Sequence, residues 1–321
     1  MSTSSSLQEI VSIHKDGSID NLAKETSIRS IIQRENAGGD LISFLLSHAD
    51  PENDNFVVVL ESIDQYSHLF ADIIRSPHFL AFISLLKGKW NDRILSAGIS
   101  MIKISWKLNS TSNEVPVAHI RASTDLGFFL IASPNLSLAE QASRLALSLL
   151  KYSDFQESLG ILHFYIKKHD QNSEIIFRYL SLITEVASDN EETARLSIDS
   201  GILEILFTIS NGKDILLVIN SMDLLAKWSR TRIGLDALCD KGIVAWLINI
   251  SSDRSDFLLN SEALRALASI FADAADHSRG FLTKINSQVV SAFLSSIIRC
   301  FHEGDETEKV SGIPYSLSCL H

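Results

Sequence analysis

The 321-residue sequence predicts an all-α protein built from stacked helical repeats, and three observations predict it. Similar segments recur at a regular interval, their apolar residues follow helical spacing, and the five prolines of the chain do not cluster. The interval of about 41 residues, called the repeat period below, is typical of the armadillo and HEAT classes of helical repeat. We therefore expect an armadillo/HEAT-type right-handed α-α superhelix, a solenoid in which each repeat packs on its neighbours.

The repeat is clearest around two glycines. Residues 199–206 and 240–247 align, which places Gly201 and Gly242 one repeat period apart. Gly160 lies one further period earlier, and Pro77 precedes Gly201 by close to three periods. Glycine accepts the left-handed conformation that a sharp corner between two helices needs. These positions are therefore the predicted corners of successive repeats.

Residues 190–231 predict a unit of three helices, short, short and long. Glu191 and Glu192 suit the start of the first helix, Gly201 ends it, and a short apolar helix follows. Asp214 is the predicted N-cap of the third helix, and Asp256 matches it one repeat period later. Three helices of this kind make an armadillo unit. We expect the same arrangement near residues 57–86 and 138–166, whereas the pattern leaves the boundaries between residues 100 and 140 undefined.

The predicted organisation has three parts. Residues 1–35 are expected to form an N-terminal helical cap with a partly disordered start, residues 36–301 the armadillo-like repeats, and residues 302–321 a polar tail that is disordered or truncated. A strand at residues 128–131 is disfavoured because no alternating partner lies nearby.

Composition excludes several classes of function. A net charge of −11 disfavours nucleic-acid binding, which needs clustered Lys and Arg, and suits a partner with a basic surface. The longest apolar runs fall far short of the roughly 18 residues that span a bilayer. The N-terminus shows no secretory signal, and three scattered cysteines indicate a reducing compartment. We expect a protein of the cytoplasm, with the nucleus as a second location.

The sequence offers no catalytic constellation. His163 and His169 are six residues apart, which places them on different faces of a helix. Cys300 with His302 and Cys319 with His321 lack the C-x-x-C spacing of a zinc site. Gly38-Gly39 most resembles a loop, and no phosphate-binding loop, dinucleotide fingerprint or nucleophile elbow occurs. We therefore expect a protein that is not an enzyme and has no cofactor, metal or small-molecule substrate.

The long third helices are expected to line a concave binding groove. Counting back from the corner glycines places six side chains in this groove: Ser181, Glu185, Asp223, Lys227, Arg265 and Ser269. The same count in the earliest repeat, where the corner is less well defined, adds Glu61 and Gln65. The alternative interpretation is that they are ordinary solvated helix faces.

Their mixed charge differs from the Trp and Asn pattern of nuclear-import armadillo adaptors and from strongly basic β-catenin-like grooves, so binding of import cargo is disfavoured. Trp228 and Trp246 are predicted to be core residues.

Residues 160–276 resemble the family of non-ATPase regulatory subunit 5 of the 26S proteasome, a proteasome base-assembly chaperone. The resemblance rests on residues 200–203 with the long helix that runs to Ala226, on residues 232–238 and 241–243, and on the loop 252–256. It implies a helical-repeat protein that binds the C-terminal region of a proteasomal AAA ATPase subunit. Such a protein assists assembly of the regulatory-particle base and leaves before the mature proteasome forms.

Members of that family continue with further repeats, whereas the last apolar segment here spans residues 289–301. We therefore expect a truncated form that is marginally soluble when isolated, because an uncapped array exposes its last apolar face. The alternative to the chaperone is a generic armadillo scaffold or adaptor in another cytosolic complex. A regulatory domain of an enzyme would need a catalytic domain that the sequence lacks.

Overall fold

A computed structural model describes residues 4–35, 41–50, 53–62, 73–88, 90–109, 115–253 and 256–277, together with residues 291 and 295. In this described part the chain is helical with no strand, which confirms the predicted all-α repeat fold. The chain divides into two compact units, residues 1–165 and 166–321.

The first unit contains eight α-helices and most of a ninth within its described residues. They are α1 Ser4–Lys15, α2 Asn21–Glu35, α3 Leu41–Ser47, α4 Asp54–Ser62, α5 Phe79–Leu86, α6 Asp92–Asn109, α7 Val117–Ile131, α8 Leu136–Leu150 and α9 Phe155–Lys168, with a 3-10 turn at Ile73–Arg75.

These helices form two layers, because α1, α4, α6 and α8 contact one another in succession, as do α3, α5 and α7. The core of this unit is rich in buried phenylalanines: Phe44, Phe56, Phe79, Phe82 and Phe128.

The second unit contains the predicted three-helix repeats. Its described helices are α10 Ser173–Ala187, α11 Glu191–Asp199, α12 Ile202–Ser210, α13 Ile215–Lys227, α14 Arg232–Asp240, α15 Ile243–Ser252 and α16 Phe257–His277, with a 3-10 turn at Trp228–Arg230. The long helices α10, α13 and α16 contact one another in succession, and α11 contacts α14. Two successive armadillo-type units, α11–α13 and α14–α16, are therefore stacked in register.

Local sequence signals set the ends of these helices. The Asn190 side chain accepts hydrogen bonds from the backbone N–H of Glu192 and Thr193 and starts α11. Asp214 does the same for Leu216 and Leu217, which confirms it as the N-cap of α13. Such caps satisfy N–H groups that have no partner inside the helix.

Both predicted corners in the second unit are confirmed. Gly201 and Gly242 have φ values of 83° and 73°, and they are the residues with positive φ in the described part of the chain. A side chain in this left-handed region pays a steric cost that glycine avoids. The chain can therefore turn directly from α11 into α12 and from α14 into α15.

The prediction of a corner at Gly160 was wrong. Gly160 lies inside α9, and the stretch 138–166 forms two helices joined by a short link rather than a three-helix unit. The residues around Gly160 continue an amphipathic pattern with Leu159 and Leu162 buried, so helix propagation outweighs the tolerance of one glycine for other conformations. The corner at Pro77 is a turn that leads into α5, as predicted.

Other expectations have mixed outcomes. Residues 128–131 belong to α7, and the opening residues form α1 and α2, although a capping role for this pair stays a prediction. Trp228 is completely buried, as expected, but Trp246 is half-buried and packs edge-on against Phe207. The paired glycines at 38–39, Gln65, the side chain of Glu61, both cysteine–histidine pairs and the tail 302–321 lie outside the described residues.

The two kinds of glycine predict opposite effects of one substitution. Gly242→Ala should lower the free energy of unfolding by about 1–2 kcal/mol, since alanine resists the left-handed conformation. Gly160→Ala should raise it by about 0.5–1 kcal/mol, because a Cβ there meets open space and glycine disfavours a helix interior. Urea denaturation followed by circular dichroism measures both, and effects of the same sign would contradict this assignment of corner and helix.

Candidate protein-binding surface

The structure places the six predicted groove residues on three neighbouring helices. Ser181 and Glu185 lie on α10, Asp223 and Lys227 on α13, and Arg265 and Ser269 on α16. Each pair is shifted by one repeat period from the pair before it. Because α13 packs against both α10 and α16, equivalent positions lie side by side in the stack. None of the six is fully buried, and Glu185 and Ser269 are exposed.

Helical spacing explains why each helix contributes two positions. Between Ser221 and Trp228 every residue is buried except Asp223 and Lys227. Residues four apart lie on the same face of a helix, one turn above the other. Neighbouring helices cover both flanks of α13, so a stripe one residue wide stays accessible to water and to a partner.

Four of the six residues form a continuous line of ion pairs. Lys227 Nζ lies 3.8 Å from Glu185 Oε2 and 3.7 Å from Asp223 Oδ2, which links α10 to α13. Arg265 Nη1 lies 3.7 Å from Asp223 Oδ1, which links α13 to α16. Arg265 also donates to Glu262 Oε2 at 2.6 Å. We call these five residues, Glu185, Lys227, Asp223, Arg265 and Glu262, the charge ladder.

Glu262 is the member that the counting from the corners missed. Its spacing of three residues from Arg265 is the helical signal that could have identified it. Ser181 on α10 and Ser269 on α16 are the other two predicted residues and add polar side chains on the outer two of the three helices. The predicted set is therefore brought together on one surface, although its role in binding stays a prediction.

The charge ladder orients side chains more than it stabilises the fold. The side chains of its members are between 23% and 48% exposed to solvent. Ion pairs that remain this accessible to water contribute about 0–1 kcal/mol each. Three carboxylates and two cations leave the ladder with one net negative charge, arranged as alternating signs across three helices.

Among the described residues no group of three His, Cys, Asp or Glu side chains is close enough to hold a metal ion. His169 packs against the ring of Tyr179 at a centroid distance of 6.4 Å. Burial, together with the charge of Lys168, lowers the pKa of His169. Burial raises the pKa of Tyr179, so its hydroxyl stays protonated.

No helix in the described part of the chain is both long enough and apolar enough to cross a membrane.

Comparisons with known proteins give likenesses of structure alone. No protein-family model and no curated protein sequence matches the chain. An engineered protein is 15% identical with a TM-score of 0.45, covering 98% of this chain and 99% of that one. A designed armadillo repeat protein in complex with the peptide (KR)4 is 15% identical, with a TM-score of 0.42 and coverages of 87% and 99%. A computationally designed armadillo repeat protein for modular peptide recognition is 13% identical, with a TM-score of 0.40 and the same coverages.

At these identities and TM-scores, the likenesses say nothing about the partner or activity of this chain.

The ladder and the core beneath it should respond differently to substitution. Asp223→Asn should change the free energy of unfolding by less than about 1 kcal/mol, since accessible ion pairs contribute little. Trp228→Ala should lower it by about 3–5 kcal/mol, because the indole is completely buried and donates to Thr184 Oγ1 at 3.3 Å. Chemical denaturation of both variants tests this, and a large loss for Asp223→Asn would show that the ladder is a structural element.

Proposed function

We propose that this chain is a non-catalytic protein-binding repeat protein and that the charge ladder is its contact surface. One observation carries the proposal: three stacked helices, α10, α13 and α16, present charges of alternating sign along a single stripe. Nothing in the packing of the core requires charges at these positions, since the stripe faces away from the buried residues. Such a pattern favours a partner protein whose surface charges are opposite in sign to those of the ladder.

The pattern also disfavours other classes of ligand. A nucleic acid requires clustered cations, whereas each cation of the ladder is paired with a carboxylate and the chain carries a net charge of −11. A small-molecule site requires a concave pocket with a few convergent polar groups. The ladder is instead a line that crosses three helices, which matches an extended segment or a helix of another protein.

For the partner, we propose the C-terminal region of a proteasomal AAA ATPase subunit. The chain would then assist assembly of the regulatory-particle base of the 26S proteasome in the cytoplasm, with the nucleus as a second location. The support is the resemblance over residues 160–276, a stretch that includes both glycine corners and every member of the charge ladder. The generic scaffold or adaptor shares the same surface and differs only in its partner.

The experiment measures binding of the purified, folded chain to the C-terminal domain of each proteasomal ATPase subunit by titration calorimetry. Binding to one of them supports the chaperone. If none binds, the proteasomal partner is excluded. An affinity pull-down from lysate with mass spectrometry then identifies the partner of the scaffold alternative.

An inverted ladder tests the contact surface. Exchanging the signs of all five members (Glu185→Lys, Asp223→Lys, Lys227→Glu, Glu262→Lys and Arg265→Glu) keeps their mutual pairing but reverses the pattern offered to a partner. We expect helical content and melting temperature close to those of wild type and a loss of partner binding of at least about tenfold.

A matched control lies on α11, where Arg195 pairs with Glu192 and Asp199 on the exposed surface. Inverting these three charges changes the net charge of the chain by the same amount, from one net negative charge in the set to one net positive charge. This control should bind as wild type does. Equal weakening by both variants would show that overall charge, and not the ladder, governs binding.

A further inference from the structure

A second surface of the same repeats is apolar and lies at the first turns of α13 and α16. Among the described residues of the second unit, four large apolar side chains are exposed: Ile215, Leu216, Phe257 and Leu258, at 48%, 70%, 45% and 48%. They are the first two residues of α13 and of α16. We call these four residues the apolar ledge.

The position of the ledge repeats with the fold. Ile215 and Phe257 are one repeat period apart, as are Leu216 and Leu258. Packed helices lie about 8–10 Å apart, so the two halves of the ledge fall within the reach of a single bound helix.

On α13 the ladder begins at Asp223, seven residues or about 10 Å beyond Leu216. On α16 Glu262 lies four residues, or about 6 Å, beyond Leu258. The ledge therefore borders the charge ladder on α16 but shares no residue with it.

The backbone beneath the ledge is held in place. Asp214 accepts hydrogen bonds from the N–H of Leu216 and Leu217 at 3.0 and 3.2 Å. Asp256 accepts from Leu258 and Leu259 at 3.0 and 3.1 Å. The exposed side chains consequently project from capped helix ends, and a partner would meet them already oriented.

A cleft of about 510 Å³ adjoins the ledge at Asp214 and Leu217. Its apolar lining comes from three helices, α10, α12 and α13: Ile176, Ile205, Ile209 and Leu217. Together the cleft and the ledge form an apolar strip along the first turns of α10, α13 and α16. Apolar side chains at helical spacing fit such a strip when an amphipathic helix lies in it.

The rim of the strip is acidic. Asp170 and Asp214 line the cleft, Asp253 directly follows α15, and Asp256 directly precedes α16. Lys213 is the cation in the lining of the cleft. Carboxylates beside an apolar strip complement Lys and Arg on the flanks of a bound apolar face.

We propose that the apolar ledge and its cleft dock an amphipathic helix of another protein, with an apolar face bordered by Lys and Arg. This surface is additional to the charge ladder, and its occupant is selected by burial of apolar area together with charge. The strip spans two successive repeats, so the affinity for the bound helix depends on the spacing of the repeats as well as on their side chains.

The test uses a fluorescent peptide of about 18 residues, with leucine at helical spacing on one face and lysine on its flanks. Fluorescence anisotropy with the full chain should show saturable binding that weakens as salt is raised, because the rim charges are exposed. A peptide with glutamate in place of lysine should bind at least about tenfold more weakly. Absence of binding by the lysine peptide, or equal binding of both peptides, overturns the proposal.

Two double variants locate the peptide. Leu216→Ser with Leu258→Ser should weaken binding at least about tenfold, because both apolar contacts are lost. The control is Val117→Ser with Leu136→Ser, which alters exposed apolar residues that also begin helices, α7 and α8. The control should bind as wild type does. So should Glu185→Lys with Lys227→Glu, which exchanges a ladder ion pair away from Leu258 without changing the net charge and separates this surface from the one proposed above.

Two other occupants of the ledge have distinct signatures. If the wild type dimerises in sedimentation experiments and the ledge variant does not, the ledge is covered by a second copy and the proposal fails. If the ledge variant melts well below the control variant, the ledge is covered by another part of this chain, and the proposal fails in that way too.

Discussion

Mutual burial of the long helices is the interaction on which the rest of the second unit depends. No single repeat can bury its own apolar face, so α13 must lie between α10 and α16 and pack against both. This leaves Asp223 and Lys227 as the two positions of residues 221–228 that are not buried, and helical geometry places them on one line. The narrowness of the polar stripe is thus a consequence of packing, and it forces charges of successive helices into contact.

Polar bonds at the repeat spacing keep the stacked helices in register. The carboxylate of Glu191, in the first turn of α11, accepts hydrogen bonds from the N–H of Arg232 and Ile233, at 2.7 and 3.1 Å. Those N–H groups begin α14 and would otherwise lack a partner. Ser229 Oγ donates to Asp273 Oδ2 at 2.6 Å and ties the end of α13 to α16 in the same way. The Glu191 carboxylate therefore lies in the first turn of its own helix and also accepts the hydrogen bonds of the N–H groups that begin the next repeat.

The same helices offer two surfaces of different character because packing covers successive turns to different extents. At the first turns of α13 and α16, neighbours do not cover the side chains, and Ile215, Leu216, Phe257 and Leu258 stay exposed. Further along α13, the flanks are packed, and Asp223 and Lys227 are the residues between 221 and 228 that are not buried. Apolar area supplies binding energy, whereas charge pairs supply selectivity, so the two surfaces would contribute different terms to the recognition of a partner.

Features that depend on neighbours along the chain could be predicted from the sequence. The corners at Gly201 and Gly242, the cap at Asp214 and the shared face of Asp223 and Lys227 follow from local conformational preference and helical spacing. The sequence did not reveal that Gly160 lies inside a helix or that Arg265 reaches Asp223 on the neighbouring helix. These outcomes depend on which helices pack side by side, and packing is set by burial of apolar surface between residues far apart in the chain.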